Sequence, residues 1–410
     1  MLSTTYRFRP TALALGILMI GAQAQAQDKA PGESIFSLSG FGTLGVVKTD
    51  TDEARYRLTG QPRGATTEVS ADVDTKIGVQ VGAKFSPMFS ATVQVLSKQN
   101  GYGSYQPAVE WAFAKAQFSP SLSVRVGRMG APLFAVSDFR DVGYANTWLR
   151  PPQDVYGQVP LSHFDGADAN YQVALGSSTL TFQLYGGKSD SVVTGSKVKL
   201  DSMVGLNATA ELDGGFSIRL GHVQGKLTVE NASLGGLVTA LSKTPFASVG
   251  QEMDATKKHA TFTGLGLGYD QGNVLALLEY TRRKTDSYVP STTGWFATVG
   301  YRLGKFTPYV TLSELHQDSS NVNTSVIPAG VPVPGLAPDL RKLIDGVLQS
   351  QSTRQKTKAA GVRWDFYRNT DLKFQYERIT PDGPGLFGST TAAFGNTPVN
   401  VYSLAVDMVF

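Results

Sequence analysis

The chain is poor in residues that make and break covalent bonds and well supplied with fixed charges. It has no cysteine, and its four histidines are His163, His222, His259 and His316. No Gly-x-Ser-x-Gly elbow of the hydrolase type occurs, and no His or Cys cluster has metal-ligand spacing. Catalysis, a structural metal and a cofactor are therefore not indicated; His163 ahead of Phe164-Asp165-Gly166 reads as a structural histidine at a strand start. The charges are more regular. Lys84, Lys98, Lys115, Arg125, Arg219, Arg302, Arg363 and Lys373 fall at alternate positions of segments whose intervening residues are apolar. Fixed charges on a water-lined face select ions by sign, and low-dielectric walls focus their field. Arg128, between Gly127 and Gly130, breaks the alternation of its segment. The competing reading for each cation is a rim charge, or a partner for Glu279, Glu377 or Asp407. No Lys/Arg run with interleaved aromatics tracks a nucleic-acid backbone.

The elements that must position these charges are short strands. Alternating segments run from about residue 34 to Phe410 and are joined in turn by tight and long connections. The tight ones lie at Ser86-Pro87, Ser119–Ser121, Gly176–Ser178, Asp213–Gly215, Asp270–Asn273, Gly304-Lys305 and Tyr367–Thr370. The long ones lie at about 49–74, 99–108, 129–163, 189–200, 225–258, 284–292, 316–354 and 380–397. That rhythm predicts an all-β fold, a transmembrane antiparallel barrel of about 16 strands with all its short turns at one end. Successive side chains of a strand face opposite ways. Ile77, Val79, Val81, Ala83 and Phe85 thus share one face, against Lys76, Gln80 and Lys84 on the other. Residues 339–349 carry Leu340, Leu343, Ile344, Val347 and Leu348 at helical spacing. Either a short amphipathic helix over the long-loop mouth or an irregular loop fits them.

Composition would mislead by itself. The mean hydropathy of -0.11 is that of an ordinary soluble protein, but barrel strands give lipid only every second side chain. The N-terminus carries Arg7 and Arg9, an apolar stretch from Ala12 to Ile20, and small residues at Ala22, Ala24 and Ala26. This is the layout of a secretory signal peptide over residues 1–26. The net charge of +4 falls to about +2 once that segment is removed.

At the other end Tyr402, Leu404, Val406, Met408 and Phe410 share one face, which resembles the targeting strand that outer-membrane barrels present to their insertion machinery. Ser39-Gly-Phe-Gly-Thr-Leu-Gly45 resembles a glycine-rich first porin strand, and Val126-Gly-Arg-Met-Gly-Ala-Pro-Leu133 resembles the passage from a fifth strand into loop three. With the leader, strand number and terminal Phe, the chain over 27–410 resembles the Gram-negative general porins, although the Pro-Glu-Phe-Gly-Gly motif of enterobacterial loops is missing. The resemblance implies a homotrimer in outer-membrane lipid and lipopolysaccharide. Each barrel would hold a water-filled channel for small hydrophilic solutes, narrowed by an inward loop three at about 129–163. That loop offers Asp138, Asp141, Asp154, Arg140 and Arg150; Phe134, Phe139, Trp148 and Leu149 are available to pin it. The expectation is a transverse field of loop carboxylates opposite a basic wall of Lys84, Lys98, Lys115, Arg125, Arg219, Arg302, Arg363 and Lys373, with Arg128 a further pore-lining candidate whose side the alternation leaves open, and with weak anion preference. A substrate-specific channel for anions, sugars or organic acids, and a plugged structural barrel, remain alternatives.

Overall fold

The computed structural model describes residues 34–332 and 339–410, so the leader expected at 1–26 lies outside the described residues. Sixteen strands follow in order: β1 (Phe36–Thr49), β2 (Lys76–Lys84), β3 (Phe89–Lys98), β4 (Ala108–Gln117), β5 (Leu122–Gly130), β6 (His163–Leu175), β7 (Ser178–Val193) and β8 (Ser196–Glu211). The second half is β9 (Phe216–Glu230), β10 (Lys258–Gln271), β11 (Val274–Thr285), β12 (Thr292–Tyr301), β13 (Phe306–Gln317), β14 (Gln355–Tyr367), β15 (Thr370–Pro381) and β16 (Val399–Val409). Each pairs antiparallel with its sequence neighbours, and β1 pairs with β16 from Phe41↔Val409 to Thr49↔Val401, closing the barrel. Closure leaves no unpaired sheet edge, which a wall in hydrocarbon requires.

Alternation decides the two faces. Leu38, Leu44, Val126, Leu184, Val310 and Phe374 are exposed on the outer wall, whereas Thr281, Thr298, Thr311, Gln375 and Asn207 are buried on the inner one. So continuous an apolar exterior suits lipid and not water. At the short-turn end Gly176, Gly214, Gly272 and Gly304 have positive φ, a conformation glycine adopts without strain.

The long-loop end departs from expectation in two places. Residues 189–200 are not a loop: β7 and β8 run on to the pair Val193↔Ser196, with only Thr194 and Gly195 between them. Gly195, at φ 73°, makes that reversal. Residues 225–258 hold two helices, α2 (Ala232–Leu241) and α3 (Ala247–Met253). The Asn231 side chain accepts from the Leu234 amide at 3.1 Å and starts α2. The helical spacing read near 339–349 is realised as α4 (Leu340–Ser350), which buries Leu340 and Ile344. Leu237, Leu241, Met253, Ile327, Leu340 and Ile344 form one apolar cluster over the mouth. Among the described residues no helix is long and apolar enough to cross a membrane.

Candidate functional site: the lumen and loop three

The connection from β5 to β6 turns into the barrel and is seated on the inner faces of β10–β16. Its short helix, α1 (Gln153–Tyr156), lies against β11–β14. The seat is cut from small residues. A Cβ on Gly266 of β10 would stand 3.2 Å from Ala135 Cβ, and one on Gly294 of β12 would stand 2.4 Å from the Asp154 carbonyl oxygen. Aromatic rings fill the rest. Phe134 stacks on Tyr156 at 4.6 Å and meets Phe262 edge-on at 5.1 Å, and Trp148 meets Phe296 edge-on at 5.6 Å. Trp148 Nε1 also donates to Thr298 at 2.8 Å. Phe134, Trp148 and Leu149 are buried as pins, but Phe139 is exposed and pins nothing.

Charges complete the seating. Arg150 is buried, with its guanidinium forked on Asp74 (2.9 and 2.7 Å), paired with Glu377, and donating to Ser403 Oγ at 2.6 Å and Tyr56 Oη at 3.1 Å. Asp141 takes Lys98 at 2.9 Å and has Arg140 at 3.8 Å, cations that hold its carboxyl below the usual range despite burial. Lys373 is paired with Asp407 at 3.0 Å and donates to the Gly143 carbonyl at 2.7 Å. Arg363 pairs with Asp371 at 3.2 Å and donates to the Tyr144 carbonyl at 2.6 Å. Asp154 accepts from Ser313 Oγ and from Gln355 Nε2 at 2.7 Å; burial pushes its pKa up to about 6.

The arrangement differs from a row of loop carboxylates facing a basic wall. Asp141, Arg150 and Arg363 are ion-paired as anchors and Asp154 is held by the neutral donors Ser313 and Gln355; Arg150 reaches Asp74 and Glu377 far along the chain, whereas Arg363 pairs with Asp365 and Asp371 of its own hairpin. Arg128 pairs with Asp165 at 2.7 Å on the parity opposite to Met129 and Phe164, which are buried under loop three; it faces away from the lumen. Arg302 pairs with Asp270 at 2.6 Å beside the turn at Gly272. Several anchors were not singled out from the sequence: Asp74, Tyr156 and Gln158, and also Arg283, although its alternation with Glu279 and Thr281 points it inward.

Loop three leaves two compartments. Toward the short-turn end, a polar one of about 600 Å³ lies between its Pro132–Phe139 edge and the wall from β3 to β9. Lys115, Arg125, Arg219, Asp138 and Glu211 line it among Ser, Thr, Asn and Gln side chains. Arg125 is held on buried Asp168, and Arg219 donates to the Pro132 carbonyl at 2.7 Å. Toward the long-loop end, a second compartment of about 800 Å³ is mainly aliphatic. A polar, charged compartment below the loop and an aliphatic one above it are suited to passing or holding solutes.

Comparison with known proteins agrees with this architecture. The family model described as Gram-negative porin matches residues 11–407. No curated protein sequence matches the chain. Among solved structures, the chain is similar to Salmonella typhi OmpF in complex with daunomycin, at 13% identity and TM-score 0.54, covering 92% of this chain and 97% of that one. It is also similar to an anion-selective porin from Comamonas acidovorans, at 14% identity and TM-score 0.51, covering 92% and 100%. The trimer form of in-vitro folded OmpT from Vibrio cholerae gives 12% identity and TM-score 0.50, covering 92% and 100%.

Proposed function

The chain belongs to the Gram-negative porin family and is an outer-membrane channel protein, and on that premise we propose that small hydrophilic solutes and ions diffuse along the polar strip between loop three and the β3–β9 wall. The observation that carries this reading is the polar lining there, set against the sealed contact of loop three with β10–β16. Lys115 and Arg219 oppose Asp138 and Glu211 on that strip, while Arg125 is balanced by Asp168. The two cations and two carboxylates cancel, which gives weak ion selectivity. The same proposal includes a channel without catalytic activity, a homotrimer in lipid and lipopolysaccharide, and insertion through the strand ending at Phe410. The Vibrio cholerae relative described as a trimer supports the assembly.

The test is a planar-bilayer recording across a KCl gradient. Stable conducting steps are expected, and the Lys115→Glu/Arg219→Glu double variant should move the reversal potential toward cation preference. A folded barrel that passes no current sinks the reading. An unmoved reversal potential in the double variant places the ion path elsewhere.

A further inference from the structure

The compartment above loop three has the wrong chemistry for a merely hydrated vestibule. Its walls are Leu200 of β8, Val223 and Leu227 of β9, Leu161 of loop three, Leu237 of α2 and Val347 of α4. A concave, mainly apolar cavity of about 800 Å³ with scattered neutral polar side chains and a single charged one is the build of a small-molecule site. That charged side chain is Arg283 of β11. Its guanidinium donates to the carbonyls of Gln158 and, at 2.8 Å, Pro290, both neutral; its Nε is buried without a partner. Among the described residues no carboxylate lies within 4.0 Å of it, in contrast with the paired cations Arg125, Arg150 and Arg363. A buried cation with no counter-charge is costly. An anion delivered with an apolar body offsets that cost and fills the aliphatic wall in one step.

We propose that this cavity is a binding site for amphipathic monocarboxylates, a carboxylate engaging Arg283 and an aromatic or aliphatic body lying against Leu200, Leu227 and Leu237. The guanidinium fork suits a carboxylate geometrically. The site would load such solutes at the external mouth before they meet the polar strip, so the transport role rests on the channel reading whereas binding does not.

The experiment uses the full barrel in phosphatidylcholine nanodiscs, with empty discs as the partition control. Calorimetric titration compares 4-phenylbutanoate, its uncharged amide and acetate. The carboxylate should bind at least tenfold more tightly than either. Arg283→Gln should weaken it at least tenfold and abolish the preference over the amide, and Leu237→Gln should weaken acid and amide alike. Equal binding of acid and amide by the unsubstituted protein, or no binding above empty discs, overturns the proposal. If Arg283→Gln fails to fold, the acid-to-amide ratio together with Leu237→Gln decides. KCl conductance of the same preparation separates the two readings: a conducting barrel that does not bind phenylbutanoate refutes the site alone, and a binding barrel that does not conduct refutes the channel alone.

Discussion

Arg150 fastens loop three to the barrel by joining Asp74, Glu377, Ser403 and Tyr56 at once. Removing it leaves two buried carboxylates uncompensated, a loss of roughly 3–5 kcal/mol. Arg150→Ala is therefore expected to lower the unfolding temperature and to give a larger, noisier single-channel conductance; unchanged conductance would show that the loop is held by its apolar contacts alone. Asp154 behaves oppositely with pH. Burial raises its pKa from 3.8 to about 6, so its contribution to seating is complete below about 3.8 and is lost as the pH rises through about 6. The whole effect is at most about 3 kcal/mol. Channel noise should grow between pH 5 and pH 8, and Asp154→Asn should flatten that dependence. The sequence displays both residues as charges inside the third long connection. It does not display Asp74, Glu377 or Ser313 beside them, because those contacts form only when strands distant in sequence close into one wall.

At the scale of elements, loop three fits because particular strand positions lack side chains. A Cβ at Gly294 would lie 2.3 Å from Gln158 Nε2 and 2.4 Å from the Asp154 carbonyl oxygen. Gly294→Ala is expected to lift α1 off β12 and raise conductance, while the barrel keeps its heat-modifiable mobility on gels; loss of that mobility would show that the defect lies in folding instead. Glycine within a strand permits bending or close approach, but what approaches it is not visible in the sequence. Strand number and faces were legible because lipid on one side and lumen on the other impose a strict two-residue period. The β7–β8 hairpin was misjudged because its upper part, Ser189 to Lys199, is dense in Ser, Asp, Thr, Gly and Lys and turns Val198 inward, toward the inner compartment, yet it still pairs to Val193↔Ser196. The helices α2 and α3 carry a nearly all-round apolar and small-residue composition that shows no clear amphipathic stripe; α4, with its charged outer face, showed one.

The molecule as a whole stacks three layers along its pore: a polar compartment, the seated loop, and an aliphatic compartment under a helical cap. The cap has an apolar core of its own, seated on the long-loop rim through Val229 of β9 and Tyr288. Its cluster of Leu241, Met253, Ile327, Leu340 and Ile344 draws on α2, α3, α4 and the loop after β13, whereas the wall is held by ladders that run continuously from β1 to β16. A lesion in one need not propagate to the other. Ile344 is wholly buried in the cap, and placing a carboxylate there combines the loss of a core side chain, roughly 2–5 kcal/mol, with an unpaired buried charge. Ile344→Asp should accordingly disband the cap and leave the sixteen-strand closure intact. Liposome-swelling rates for a neutral sugar are expected to rise, with the barrel's unfolding temperature shifting little. Swelling unchanged from that of the unsubstituted protein would locate the limiting constriction wholly at loop three, and a collapse of the unfolding temperature would show that cap and wall fold as one cooperative unit.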